Sequence, residues 1–170
     1  MSEVIMFNIG DYILYGKNGV CLLTDICSSP FDESDTRTYY KLQTLHGTSS
    51  VIFTPTDTKI ASRKLMTKEE AESFVKRIPQ IGTLKVEIEK LRREVYRTAV
   101  SDLTPESFVA VLKTIKERRR AIEIAKRHIT EADAEYESLA KKSLYSELSI
   151  VLDIPYGDVE GYIAEKVGGI

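Results

Sequence analysis

Tryptophan is absent from this 170-residue chain, and histidine and cysteine occur only twice each. The two histidines, His46 and His128, stand apart and match no HExxH-type metal-ligand spacing. Cys21 and Cys27 lie six residues apart, so they cannot form the CxxC half of a zinc site. On one extended segment they are predicted to share a face and to act as small buried hydrophobes. The chain contains no GxSxG, Walker A or GxGxxG pattern. No catalytic function, cofactor or metal is therefore expected. No apolar run reaches the roughly 18 residues that a membrane span needs, and no signal peptide is recognised. The expectation is a cytoplasmic protein with reduced thiols and no membrane partner. A net charge of −2 supplies no bulk attraction to nucleic acid.

What is present divides into two textures. Residues 1–60 are rich in β-branched and aromatic residues cut by turn residues. Strands are predicted over Ile9–Tyr15, Val20–Ile26, Arg37–Leu45 and Ser50–Thr54, with Gly16-Lys17-Asn18-Gly19 as a tight hairpin turn and Pro55 as a terminator. So many short strands suggest a small SH3- or Tudor-like β-barrel. After a linker near Thr56–Lys64 the pattern becomes helical. Thr67-Lys68-Glu69-Glu70 reads as a capping box, for a helix ending before Pro79. Apolar residues at 88, 91, 95 and 99 predict a helix over Val86–Val100. Thr104-Pro105-Glu106 should start a helix running to about His128, with Phe108, Val111, Leu112, Ile115, Ile122 and Ala125 inside. Thr130, with Asp133 three residues on, should cap a fourth helix with Tyr136, Leu139, Leu144, Leu148 and Val151 inside. A short last helix would hold Val159, Tyr162 and Ile163. The expected class is α+β: a β domain over residues 1–60 and an all-α domain of about five helices over 61–170.

Charge is unevenly placed. Residues 85–128 carry 12 basic and 7 acidic side chains. Arg118, Arg119 and Arg120 sweep so much helix arc that at least one must leave the solvent face or meet a partner. Arg92, Arg93 and Arg97 form a second cluster around Tyr96. Two readings stand open: a phosphate-tracking surface with an aromatic for stacking, or arginines paired with Glu89 and Glu94 around a core tyrosine.

The order of several blocks resembles the CarD/CdnL family of transcription regulators, whose β module also occurs in the transcription-repair coupling factor. These blocks are Phe7-Asn8-Ile9-Gly10-Asp11-Tyr12-Ile13-Leu14-Tyr15 with Asn18-Gly19-Val20, then Tyr39-Tyr40-Lys41-Leu42, Val51-Ile52-Phe53-Thr54-Pro55, and Ala61-Ser62-Arg63 before the Thr67 helix start. Arg93-Glu94-Val95-Tyr96 and Ser146–Leu152 continue it. The resemblance implies a barrel that binds the β subunit of RNA polymerase and a helical domain at promoter DNA, near the upstream edge of the bubble. There the family wedges a tryptophan into the minor groove, which lowers the open state relative to the closed one. The corresponding stretch here offers Leu84, Val86 and Ile88 instead. Phe53 and Ser29 stand near the family's polymerase-facing arginines, with Arg37 and Lys41 as the nearest cations. The resemblance thus nominates Arg37, Lys41, Val51 and Phe53 for polymerase, and Leu84, Lys85, Ile88, Lys90, Arg93 and Arg97 for DNA. An adaptor that binds polymerase without touching DNA is the alternative.

Overall fold

The structure, a computed structural model, describes residues 7–170. The chain forms two compact units, the first ending at Leu65 and the second spanning Met66–Ile170.

The first unit is one antiparallel sheet. Its strands are β1 (Tyr12–Tyr15), β2 (Val20–Ser28), β3 (Thr38–Thr44), β4 (Val51–Pro55) and β5 (Ser62–Lys64), in the order β4-β3-β2-β1-β5. Alternation places Ile13, Tyr15, Cys21, Leu23, Tyr40 and Leu42 on one face, where they enclose Phe7 and form the core. The sheet curls hard around that core. In a flat sheet β1 and β4 would lie about 14 Å apart, three strand spacings. Yet the Tyr15 hydroxyl donates to Thr54 Oγ1 across 2.9 Å. The expected barrel is nonetheless an open sheet, since among the described residues no ladder joins β4 to β5.

Three expectations change here. Residues 9–11 precede β1 rather than belong to it. The expected tight turn between β1 and β2 is present as a single 3-10 turn, Gly16–Asn18. Glycine is favoured at Gly16: its φ is +47° and a Cβ would meet the Ile60 side chain at 2.9 Å. The expected linker contains β5, whose Ser62, Arg63 and Lys64 pair with Tyr15, Leu14 and Ile13, so the first unit runs on to Leu65. The cysteines do not share a face. The β2–β3 register shifts between Leu23 and Asp25, a bulge that inverts which side chains point inward. Cys21 is fully buried, whereas Cys27, opposite Tyr39, is half-buried.

The second unit holds α1 (Lys68–Arg77), α2 (Arg92–Val100), α3 (Pro105–Ile124), α4 (Glu131–Leu152) and α5 (Val159–Val167). Its threonine-capped helix starts follow the sequence closely. Thr67 and Thr130 both form reciprocal capping boxes, with Glu70 and Asp133, and Thr104 accepts from the Ser107 amide. Each cap satisfies amides that the first turn leaves unpaired. α3 is shorter than expected. It ends at Ile124, so His128 lies in the following turn rather than at a helix end. Ile122 is half-buried and Ala125 exposed, and in α4 Leu139 and Val151 are only half-buried.

The largest departure concerns α2. Residues 81–86 and 88 have no regular structure and Glu87 is a bend; a 3-10 turn covers Glu89–Leu91, and the helix begins at Arg92. Its buried stripe is Arg92, Tyr96 and Val100, not the stripe through 88, 91, 95 and 99. Ile88 and Leu91 are exposed. Apolarity alone misplaced the face, because two of the inward side chains, Arg92 and Tyr96, end in polar groups that find partners inside.

Candidate docking face and helical cation cluster

The outer face of β3 and β4 gathers the residues nominated for polymerase. The ladder sets Lys41 opposite Phe53 and Gln43 opposite Val51, so one face carries Lys41, Val51 and Phe53, with Arg37 just before β3. Lys41 Nζ lies 6.0 Å from the Phe53 ring centroid, within cation–π range. Val51 is exposed. Phe53 is half-exposed on this face and is not a core residue.

β4 is also an edge of the sheet. Ladder bonds from Thr44 N to Ser50 O and from Thr56 N to Thr38 O fix which β4 residues turn their backbones inward. By alternation, Val51 and Phe53 direct N–H and C=O away from β3. Pro55 occupies the same outward parity, where its missing N–H costs no ladder bond.

Sequence reasoning passed over Phe31, in the loop that borders this face. Phe31 is 73 % exposed and packs edge-on against both Tyr39 (6.2 Å) and Phe53 (5.9 Å). Ser29 Oγ accepts from the Phe31 and Asp32 amides. Asp35 accepts from the Arg37 amide, its guanidinium and the Tyr39 hydroxyl. The Arg37 hydrogen bonds hold the Asp35 carboxyl far below the usual carboxylate range, and the bond to Asp35 pushes the Tyr39 phenol up. Arg37 is therefore a cation already committed to its own loop. The Ser and Asp turn chemistry was visible in sequence, but nothing there marked Phe31 as adjacent to Phe53.

The residues nominated for DNA are placed differently. Leu84 is half-buried, with its amide donating to Thr114 Oγ1 at 2.7 Å. Lys113 Nζ donates to the Ile78 and Ile81 carbonyls at 2.6 Å each. Two neighbouring α3 residues thus pin the strap that leads to Ile88. Lys85 pairs with Glu87, and Lys90 is exposed without an ion pair among the described residues. Arg93 pairs with Glu135 and Arg97 with Glu94.

Behind them lies a polar network. Arg92 binds Glu89 and donates to the Tyr96 hydroxyl at 2.8 Å. Tyr96 donates to Asp133 Oδ1 at 2.8 Å. Arg118 Nε donates to Asp133 Oδ2 at 2.9 Å, and its NH1 to Glu89 Oε2 at 2.8 Å. Burial pushes the Asp133 carboxyl up, but hydrogen bonds from Thr130 and Tyr96 and the charge of Arg118 outweigh it, and the net shift is down. Burial pulls the Arg92 guanidinium down, and its bonds to Glu89 and Tyr96 more than reverse this. Arg119 pairs with Glu137. Of the two readings left open for Arg92, Arg93 and Arg97, the carboxylate-paired one describes the geometry. Among the described residues no cluster of acids, histidines and cysteines fits a metal ion, and no helix is long and apolar enough to cross a membrane.

The first unit is a curled antiparallel sheet with aromatic side chains on its outer face and an edge strand whose backbone at 51 and 53 turns outward. Residues 7–65 match the model of the CarD-like/TRCF RID domain family. The β unit is thus similar to the CarD-like/TRCF RID domain, and the match ends where the helical unit begins. No curated protein matches the chain.

Proposed function

We propose that the protein is a non-catalytic, cytoplasmic transcription regulator that docks on the β subunit of RNA polymerase and acts on promoter open complexes through its helical unit. The RNA-polymerase-interacting class of the β unit supplies the partner. The observation that carries the site is the register: Lys41, Val51 and Phe53 share one face, beside a strand edge whose backbone at 51 and 53 points outward. Adding a partner strand at β4 would satisfy those groups while the Phe31–Phe53 pair anchors side chains. The test is binding of the whole protein to polymerase core, by pull-down or interferometry, with Phe53→Glu as the variant. Loss of binding by a folded Phe53→Glu protein supports the docking face. No binding by well-folded parent protein would sink the polymerase reading.

A second reading, an adaptor without DNA contact, draws on Arg93 and Arg97, whose carboxylate partners already neutralise them. It expects no salt-dependent affinity for duplex DNA.

A further inference from the structure

Most cations of the helical unit's arginine clusters are matched by carboxylates: Arg92 and Arg118 by Glu89, Arg93 by Glu135, Arg97 by Glu94 and Arg119 by Glu137. The α3–α4 turn is different. Residues 120–130 hold Arg120, Lys126 and Arg127 against one acid, Glu123, with His128 alongside. All four basic side chains are exposed, and among the described residues Arg120, Lys126 and Arg127 form no ion pair. Between them stands Ile124, 86 % exposed at the last turn of α3.

The backbone fixes this cluster in place. The Lys126 amide bonds Glu123 O at 3.2 Å and the Arg127 amide bonds Ile122 O at 3.0 Å. This is a Schellman ending, which normally carries glycine at its left-handed position. Here that position is Lys126, with φ +52°. A lysine is held where glycine would be more stable.

We infer that this hairpin tip, and not the α2 arginines, is the surface of the helical unit that contacts the phosphate backbone of duplex DNA. The shape separates this ligand from other polyanions. The tip of a helical hairpin is convex, so it suits a groove flanked by phosphates better than it suits a peptide, which needs a groove of its own. One aliphatic side chain is too few for a lipid surface, where a whole apolar helix face is buried. Beside a groove, Ile124 can pack on sugar while the cations reach phosphates on either side. The inference deepens the proposed action at promoters and rests on it for its setting, but its test does not need polymerase.

The experiment measures anisotropy of a labelled forked duplex titrated with the whole protein over a salt series. The variants are a triple, Arg120→Gln with Lys126→Gln and Arg127→Gln, and a control pair, Arg93→Gln with Arg97→Gln. Circular dichroism checks folding, and polymerase binding is measured in parallel. The triple is expected to bind at least about tenfold more weakly at low salt, with the log–log salt slope reduced by about 2 to 3. The control pair is expected to change little. Unchanged binding by the folded triple, a larger loss from the control pair, absence of salt-dependent binding by the parent, or equal affinity for anionic vesicles would each overturn the inference. A parent that binds DNA but not polymerase overturns the polymerase reading and leaves this one standing.

Discussion

The Tyr96 hydroxyl donates to the Asp133 carboxylate across 2.8 Å, at a point where both side chains are completely buried. That bond ties α2 to the first turn of α4. Through Arg118 and Glu89 it also reaches α3 and the 3-10 turn before α2. Removing Asp133 would leave the Arg118 head without its buried partner and the Thr130 cap without its reciprocal bond. Asp133→Ala is expected to cost about 3–5 kcal/mol, the range for breaking a buried ion pair. Tyr96→Phe leaves Asp133 its other partners and should cost about 1–2 kcal/mol. Urea unfolding of the two variants checks the order, and a Tyr96→Phe cost equal to that of Asp133→Ala would contradict it.

Stability should fall at both ends of the pH scale. The Asp133 carboxyl titrates below its ordinary 3.8 in the fold. Its contribution is present above that value and is lost as pH drops through the lower folded one. Burial pushes the Tyr96 and Tyr145 phenols up from 10.0 to about 12. Their folded forms hold the proton more tightly, so that contribution is full below pH 10 and disappears as pH rises towards 12. Spectrophotometric titration should show tyrosine ionisation that extends up towards pH 12, together with loss of helix. Ionisation of all nine tyrosines near their ordinary value in a folded protein would count against it.

Lys113 holds the strap ahead of Ile88 by two carbonyl bonds, and burial draws its ammonium below the ordinary lysine range. Lys113→Met keeps the stem and removes the donors. Faster amide exchange and easier proteolysis over residues 79–88 are expected, with little change in exchange over α3. Uniform loosening of the whole unit would argue against a local pin.

Lys126→Gly should raise stability by about 1 kcal/mol, because it relieves a left-handed backbone that glycine adopts freely. The same substitution removes a tip cation and should weaken salt-dependent duplex binding. Thermal unfolding and the anisotropy series read the two effects separately. A gain in stability with unaltered DNA affinity would reduce the tip to a turn.

Val51→Pro tests docking along β4. Residue 51 shares the outward parity of Pro55, so the sheet should survive with little loss. A partner strand would lose one amide donor, and polymerase affinity should drop several-fold. Unaltered affinity would point to the aromatic face alone.

The threonine-capped helix starts were legible in the sequence because capping is local. Thr67, Thr104 and Thr130 cap through residues three positions on, within reach of any short stretch of chain. Strand positions were legible for the same reason, since alternation and turn residues act over a few residues. The candidate docking face was legible only in part. Lys41, Val51 and Phe53 came from the family pattern, whereas Phe31 reaches Phe53 from a loop 22 positions earlier.

The sequence by itself determined the two-part architecture, the capped helices and the inner face of the sheet, since propensity, capping and periodicity are interactions between near neighbours. Tertiary structure alone decided what depends on distant partners. It set the opposite faces of Cys21 and Cys27, through a bulge fixed by pairing with β3. It buried Arg92 and Tyr96 instead of Ile88 and Leu91, because Asp133 lies 37 positions from Tyr96 and receives its hydroxyl. A polar side chain can be buried only where a partner waits, and whether one waits is settled by the fold that brings far parts of the chain together.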